Sequence, residues 1–204
     1  MKNNIEFFFD CSSPWTYLAF KEIVPLCERN HCDIVWKPIL VGGIFNSTNP
    51  SVYEHRANPV KEKLSYSKKD MSDWAKIRGI QFNWPDKFPV NSVKAMRGAF
   101  YAIDKGFLPE YAETIFASYW TGNKDISNSD VLTEIISSLE WNEKEFSSYI
   151  ELADTKELLK KNTQELIDRG GFGSPTIFLN KTDMYFGNDR LHLLEKILDN
   201  RKLV

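Results

Sequence analysis

Hydrophobic and polar positions alternate in blocks along this chain. Residues 5–9 form a short, largely apolar run rich in phenylalanine, the pattern of a buried strand. The small polar stretch 10–13 ends it. Ser13-Pro14 then has the signature of a helix start, with serine as cap and proline at the first helical position. Trp15, Leu18, Ala19, Ile23 and Leu26 follow at helical spacing. Residues 33–36 read as a second strand, ended by Pro38 and parallel to the first, so the chain opens with a βαβ unit. Residues 37–60 read as a long loop punctuated by Gly42-Gly43, Asn46, Asn49-Pro50 and Asn58-Pro59, and loops of that length are often functional.

From residue 61 to about 166 the spacing is helical. Helices are predicted over 61–78, over 93–105 closed by Gly106, over 110–120, over 129–139 capped by Asn128, over 142–152 and over 155–169. Their aromatic stripes are predicted to be core. After Gly173 the strand pattern returns. Residues 174–179 form a strand headed by Pro175, and 180–183 a turn. A second strand covers 184–186, and Asn188-Asp189 caps a terminal helix. The ends therefore build one sheet of about four strands, and the middle is a helical insertion. The expected division is residues 1–42 with 170–204 in one domain, and 43–169 in the other.

Composition narrows the function. The chain has 204 residues, 26 basic and 28 acidic, for a formal charge of −2. No basic field is present to attract nucleic acid or an anionic membrane, and no apolar run has the length of a membrane span. The start of the chain lacks a secretory signal pattern, so a cytoplasmic location is expected. Cys11, Cys27 and Cys32 show no C-x-x-C spacing, so neither a disulfide nor a zinc site is expected; His31, His55 and His192 are isolated. There is no glycine-rich phosphate loop and no G-x-S-x-G elbow.

A strand leading into a helix start at Ser13 gathers free N–H groups and the positive end of a helix dipole, a setting that suits an anion such as a thiolate. Pro175, heading its strand, is expected to follow a cis bond at Ser174. This order of elements resembles the thioredoxin-like fold of DsbA type with a large all-helical insertion. The C-x-x-C that opens the first helix of DsbA-type oxidoreductases is replaced by Ser13-Pro14-Trp15-Thr16. That departure is similar to kappa-class glutathione transferases and, more closely, to 2-hydroxychromene-2-carboxylate isomerases. The motif Phe9-Asp10-Cys11-Ser12-Ser13-Pro14-Trp15-Thr16-Tyr17-Leu18-Ala19 resembles their F-D-x-x-S-P signature. Phe172-Gly173-Ser174-Pro175-Thr176-Ile177-Phe178 resembles their F-G-x-P-T-x-F, and residues 186–191 their G-N-D-R-L.

The resemblance implies a glutathione-dependent isomerase, or else a kappa-like transferase, acting on a small electrophile. A binding module on the same scaffold is the further alternative. It implies that Ser13 holds the glutathione sulfur as thiolate and that Ser174 pairs its main chain with the cysteinyl part, next to Pro175. Asn188 and Asp189, behind Phe186 and Gly187, would take the γ-glutamyl end, and Lys63 the glycyl carboxylate. Trp15, Phe45, Asn46, Asn58 and Phe88 are the implied substrate pocket. The isomerases tend to carry lysine where Asn46 stands and tyrosine where Phe88 stands, so a partner for a substrate carboxylate is missing at 46. A homodimer is implied, and no metal.

Overall fold

The computed structural model describes residues 2–201. One mixed sheet runs in the order β2-β1-β3-β4, with β1 (Asn4–Phe9) central. β2 (Asp33–Pro38) pairs parallel to it, and β3 (Thr176–Leu179) antiparallel, with Phe7 opposite Trp36 on one side and Ile177 on the other. β4 (Asp183–Phe186) closes the hairpin. Every residue of β1 after Asn4 is buried, which is why its run is nearly unbroken rather than alternating.

Helix α1 (Pro14–Asn30) starts where the pattern placed it. The Ser13 side chain accepts from the Thr16 N–H, and His31 ends the helix in the left-handed region at φ 52°. The middle of the chain supplies α2 (Val41–Thr48), α3 (Ser51–Ala57), α4 (Lys61–Ile77), α5 (Val93–Lys105), α6 (Leu108–Trp120), α7 (Ser129–Ser138), α8 (Glu143–Glu151) and α9 (Ala153–Asp168). A 3-10 turn (Asn188–Arg190) leads into α10 (Leu191–Arg201). One core joins the two expected parts of the chain: Phe7, Phe9 and Leu18 from the sheet side are continuous with Met96, Phe116 and Trp120 from the insertion. Tyr17 stacks on Phe116 at 5.0 Å between ring centroids.

Two expectations are corrected. Residues 37–60 are not a loop, because they form α2 and α3. Glycines and the lack of a local cap hid α2. Its start is capped from elsewhere, since the Val41 N–H donates to the Asp10 carboxylate at 2.8 Å and the Leu40 N–H to Thr163 Oγ1 at 3.0 Å. Ile44 anchors it against Phe8, Ile39, Leu166 and Phe178. Asn188 and Asp189 likewise do not cap α10. Gly187, at φ 97°, turns the chain into the 3-10 segment, whose start has no side-chain cap, and the Asn188 Oδ1 is buried without a hydrogen-bond partner among the described residues.

Candidate active site

The C-terminal end of β1, the start of α1 and the head of β3 meet in one hydrogen-bonded knot. The Asp10 N–H donates to Ser174 Oγ at 3.0 Å, and Ser174 Oγ bonds Thr16 Oγ1 at 2.7 Å. Ser13 Oγ donates to the Ser174 carbonyl at 2.9 Å. The Ser174–Pro175 bond is cis, as expected from the sequence, and the Phe88–Pro89 bond is cis too. Gly173 leaves room for the Phe186 ring: a Cβ there would lie 2.7 Å from it, and the ring would have to shift.

This knot forms one side of a cleft of about 1140 Å³. Asp10, Ser12, Ser13 and Trp15 line it from the β1–α1 junction, and Phe172, Ser174 and Phe186 from the β3 side. The opposite side belongs to the insertion. There Phe45 comes from α2, Tyr53, His55 and Arg56 from α3, Lys68 from α4, and Trp84, Phe88 and Ser92 from the segment before α5. The aromatic residues stay partly open to solvent; Trp84 is 47% exposed and Phe88 37%. Trp84 meets Phe88 edge-on at 5.5 Å.

The electrostatics of the two sides differ. Asp10 is the acidic side chain among the described lining residues, and it is buried. Its carboxylate accepts from the Ser12 N–H at 2.9 Å and the Val41 N–H at 2.8 Å. Burial pushes its pKa above the ordinary carboxylate range, while the bonds from Val41, Ser12 and Ser92 work against that push. Across the cleft, Arg56 and Lys68 carry positive charge, and neither has a carboxylate partner among the described residues.

Six of the residues named from the sequence therefore share the cleft: Ser13, Trp15, Phe45, Phe88, Ser174 and Phe186. Pro175 and Gly187 lie just behind it, joined by a bond from the Gly187 N–H to the Pro175 carbonyl at 3.1 Å. Asn188 is buried, and Asp189 is exposed with Arg190 at 3.3 Å. Asn46, Asn58 and Lys63 are not in the wall. Asn46 accepts from the Tyr53 hydroxyl at 2.8 Å, Asn58 ends α3, and Lys63 is exposed on α4. Sequence reasoning missed Arg56, Lys68 and Trp84. For Arg56 the signal was hidden because residues 51–57 were read as loop, whereas they form α3.

Cys11 and Cys27 are buried thiols. Burial raises both pKa values, Cys27 to about 12, so neither offers a thiolate at neutral pH. Among the described residues no group of histidine, cysteine or carboxylate side chains could hold a metal, and no helix is long and apolar enough to cross a membrane.

Comparison with known proteins places the chain in a family and supports the fold. The family model for the DSBA-like thioredoxin domain matches residues 4–199. A 2-hydroxychromene-2-carboxylate isomerase of Pseudomonas putida is 28% identical, over 95% of this chain and 93% of its own length. Glutathione S-transferase kappa 2 of Caenorhabditis elegans is 27% identical, over 92% and 88%. A solved structure of 2-hydroxychromene-2-carboxylate isomerase superposes with a TM-score of 0.81 at 25% identity, covering 98% of this chain and 99% of that one.

Proposed function

The chain belongs to the DSBA-like thioredoxin domain family, and from that premise we propose that it is a glutathione-dependent isomerase of 2-hydroxychromene-2-carboxylate type, acting on an aromatic or unsaturated carbonyl compound. That its relatives are named isomerases and glutathione transferases makes it an enzyme. The observation that carries the reading is Ser13, a hydroxyl at the N-terminus of α1, on the cleft wall, in the place where disulfide oxidoreductases of this fold need a cysteine.

The residues present fit glutathione. At about 1140 Å³ the cleft stands just above the upper end of the ~300–1000 Å³ of a small-molecule site, which leaves room for a tripeptide and a second substrate together. The buried Oδ1 of Asn188 is an acceptor without a donor, which an ammonium group can satisfy. Asp189 stands beside it to strengthen the hold on the γ-glutamyl amine, with Gly187 and Phe186 shaping that end. Ser174, ahead of Pro175, offers its main chain to the cysteinyl part. Lys68 or Lys63 on α4 meets the glycyl carboxylate. Trp15, Phe45 and Phe88 face the second substrate, with Asn46 and Asn58 near the rim.

When bound, glutathione supplies a sulfur nucleophile that adds to an electrophilic carbon and, in an isomerisation, is released unchanged. Ser13 prepares that nucleophile. Its hydroxyl turns from the Ser174 carbonyl towards the sulfur and stabilises the thiolate, while the α1 N-terminus contributes up to ~2 kcal/mol to a partly buried anion. At ~1.4 kcal/mol per pKa unit, the dipole alone lowers a thiol pKa by about one unit. A charged Asp10 would oppose a thiolate so close by, and burial, which favours its neutral form, reduces that opposition. Ser174, freed of its bond from Ser13, accepts from the tripeptide main chain. The aromatic side of the cleft excludes water from the electrophile.

The test is thiolate absorbance in the ultraviolet, titrated against pH with glutathione bound. Ser13→Ala should remain folded, since loss of a cap typically costs ~1 kcal/mol, and should raise the pKa of bound glutathione. The rate loss should then be largest below neutral pH. An unchanged titration would reduce Ser13 to a helix cap. The kappa-like transferase is the second reading, favoured by the transferase relatives; free glutathione assayed after turnover separates them, since only the transferase consumes it. Free cysteines throughout suit a cytoplasmic setting, and a homodimer is the expected assembly.

A further inference from the structure

Arg56 sits in the cleft in a way that this chemistry leaves unused. Its guanidinium carbon lies over the Phe45 ring at 5.4 Å from the centroid, and over the Phe88 ring at 5.4 Å. All three side chains line the cleft. Ring faces attract a cation without neutralising it, and no carboxylate among the described residues pairs with Arg56. The described acidic side chain of the wall, Asp10, is buried at the β1–α1 junction. A cation–ring contact takes up none of the guanidinium's N–H donors as hydrogen bonds to a charged acceptor, which leaves them for an acceptor from outside the chain.

The element that bears Arg56 adds to the argument. α3 has no buried residue, so packing does not explain a positive charge held between two aromatic rings. Lys68 lines the same side. At position 46, by contrast, the chain has an asparagine outside the wall, its Oδ1 occupied by the Tyr53 hydroxyl. The positive charge of the substrate side is therefore on α3 and α4 rather than on α2, and of the two cations Arg56 is the one set against the rings of Phe45 and Phe88.

We propose that Arg56 is the specificity-determining residue for the second substrate, receiving a carboxylate carried by a planar conjugated compound that lies along Phe45 and Phe88. This rests on the cleft being the two-substrate glutathione site proposed above. The planar fork of arginine matches the two oxygens of a carboxylate. A neutral ester of the same shape keeps the ring contacts and forfeits the ion pair.

Equilibrium binding of trans-cinnamate and of methyl trans-cinnamate, followed by quenching of tryptophan fluorescence, tests this directly. The wild-type chain should bind the acid about tenfold or more tightly than the ester, the size expected of a hydrogen bond to a charged group. Arg56→Met should erase the preference. Arg56→Lys should keep a part of it, because lysine brings charge without the fork. Raising the salt concentration should shrink it. A preference that survives in Arg56→Met, or a wild-type chain with none, overturns the proposal. Glutathione addition to benzylideneacetone, a neutral enone, is measured alongside. Turnover together with an unaltered acid preference in Arg56→Met leaves the glutathione reading intact and removes Arg56. No turnover together with an Arg56-dependent preference does the reverse.

Discussion

The two sides of the cleft are built on opposite principles. The sheet side is buried and internally bonded: Asp10, Ser13, Thr16 and Ser174 satisfy one another across more than 150 positions of sequence. The insertion side is aromatic and cationic, open to solvent, and carried by helices with few buried residues; α3 has none, and α4 buries only Met71 and Ala75. Polar groups in the first setting move only by exchanging one partner for another, as proposed for Ser13 and Ser174 on ligand binding, so the rest of the knot holds fixed geometry. Side chains in the second can repack around whatever enters. The proposed reaction pairs one thiol with a variable electrophile, and walls of these two kinds suit it.

The largest expected effect falls on the sheet side. Asp10→Ala strips the acceptor from the Ser12 and Val41 N–H groups and should lower the stability by roughly 2–3 kcal/mol. Urea denaturation measures it; a change under about 0.5 kcal/mol would show that the junction is not the rigid wall. Phe88→Ala makes the opposite case. It should barely move the urea midpoint, and should raise the KM for the electrophile about threefold to tenfold, the worth of an aromatic contact. A collapse in stability there would erase the contrast between the walls.

Smaller effects sharpen the glutathione end. Lys68→Ala should raise the KM for glutathione by about twofold to fivefold, as expected of an exposed ion pair. Lys63, which stands outside the wall, should give less when replaced in the same assay; the reverse order would mean that α4 turns on binding. The smallest effect is a null one. The thiols of Cys11 and Cys27 are raised by burial, Cys27 to about 12. Both thus hold their protons at pH 8, where a free cysteine already begins to ionise. Iodoacetamide should leave both unlabelled on the native protein and label them after unfolding, as read by peptide mass spectrometry. Native labelling of Cys11 would indicate a looser β1–α1 junction.

The sequence made the sheet side legible for a physical reason. Ser13-Pro14 and Gly173-Ser174-Pro175 are local backbone signals that place a cap and a strand head; the chemical roles expected of them came from the resemblance of the surrounding motifs. β1, α1, β2, the β3–β4 hairpin and most insertion helices were readable from periodicity for the same reason. α2 was not, because the carboxylate that caps it belongs to Asp10 and the hydroxyl to Thr163, and no window of residues contains both. Arg56 was hidden by the same error, since a residue assigned to a loop has no defined face. The Asn188 side chain looked like a cap by residue type, and only the turn at Gly187 shows that it points elsewhere.

The absence of buried residues from α3 has an evolutionary consequence. Most substitutions are removed from a lineage because they lower stability below what function tolerates, and exposed positions away from special contacts usually shift stability by only about 0.5 kcal/mol. A helix with nothing to anchor can therefore accept substitutions at little cost in stability, and in this chain it lies across the cleft from the proposed position of the sulfur. New preferences can be sampled there one residue at a time without disturbing the buried knot of Asp10, Ser13, Thr16 and Ser174.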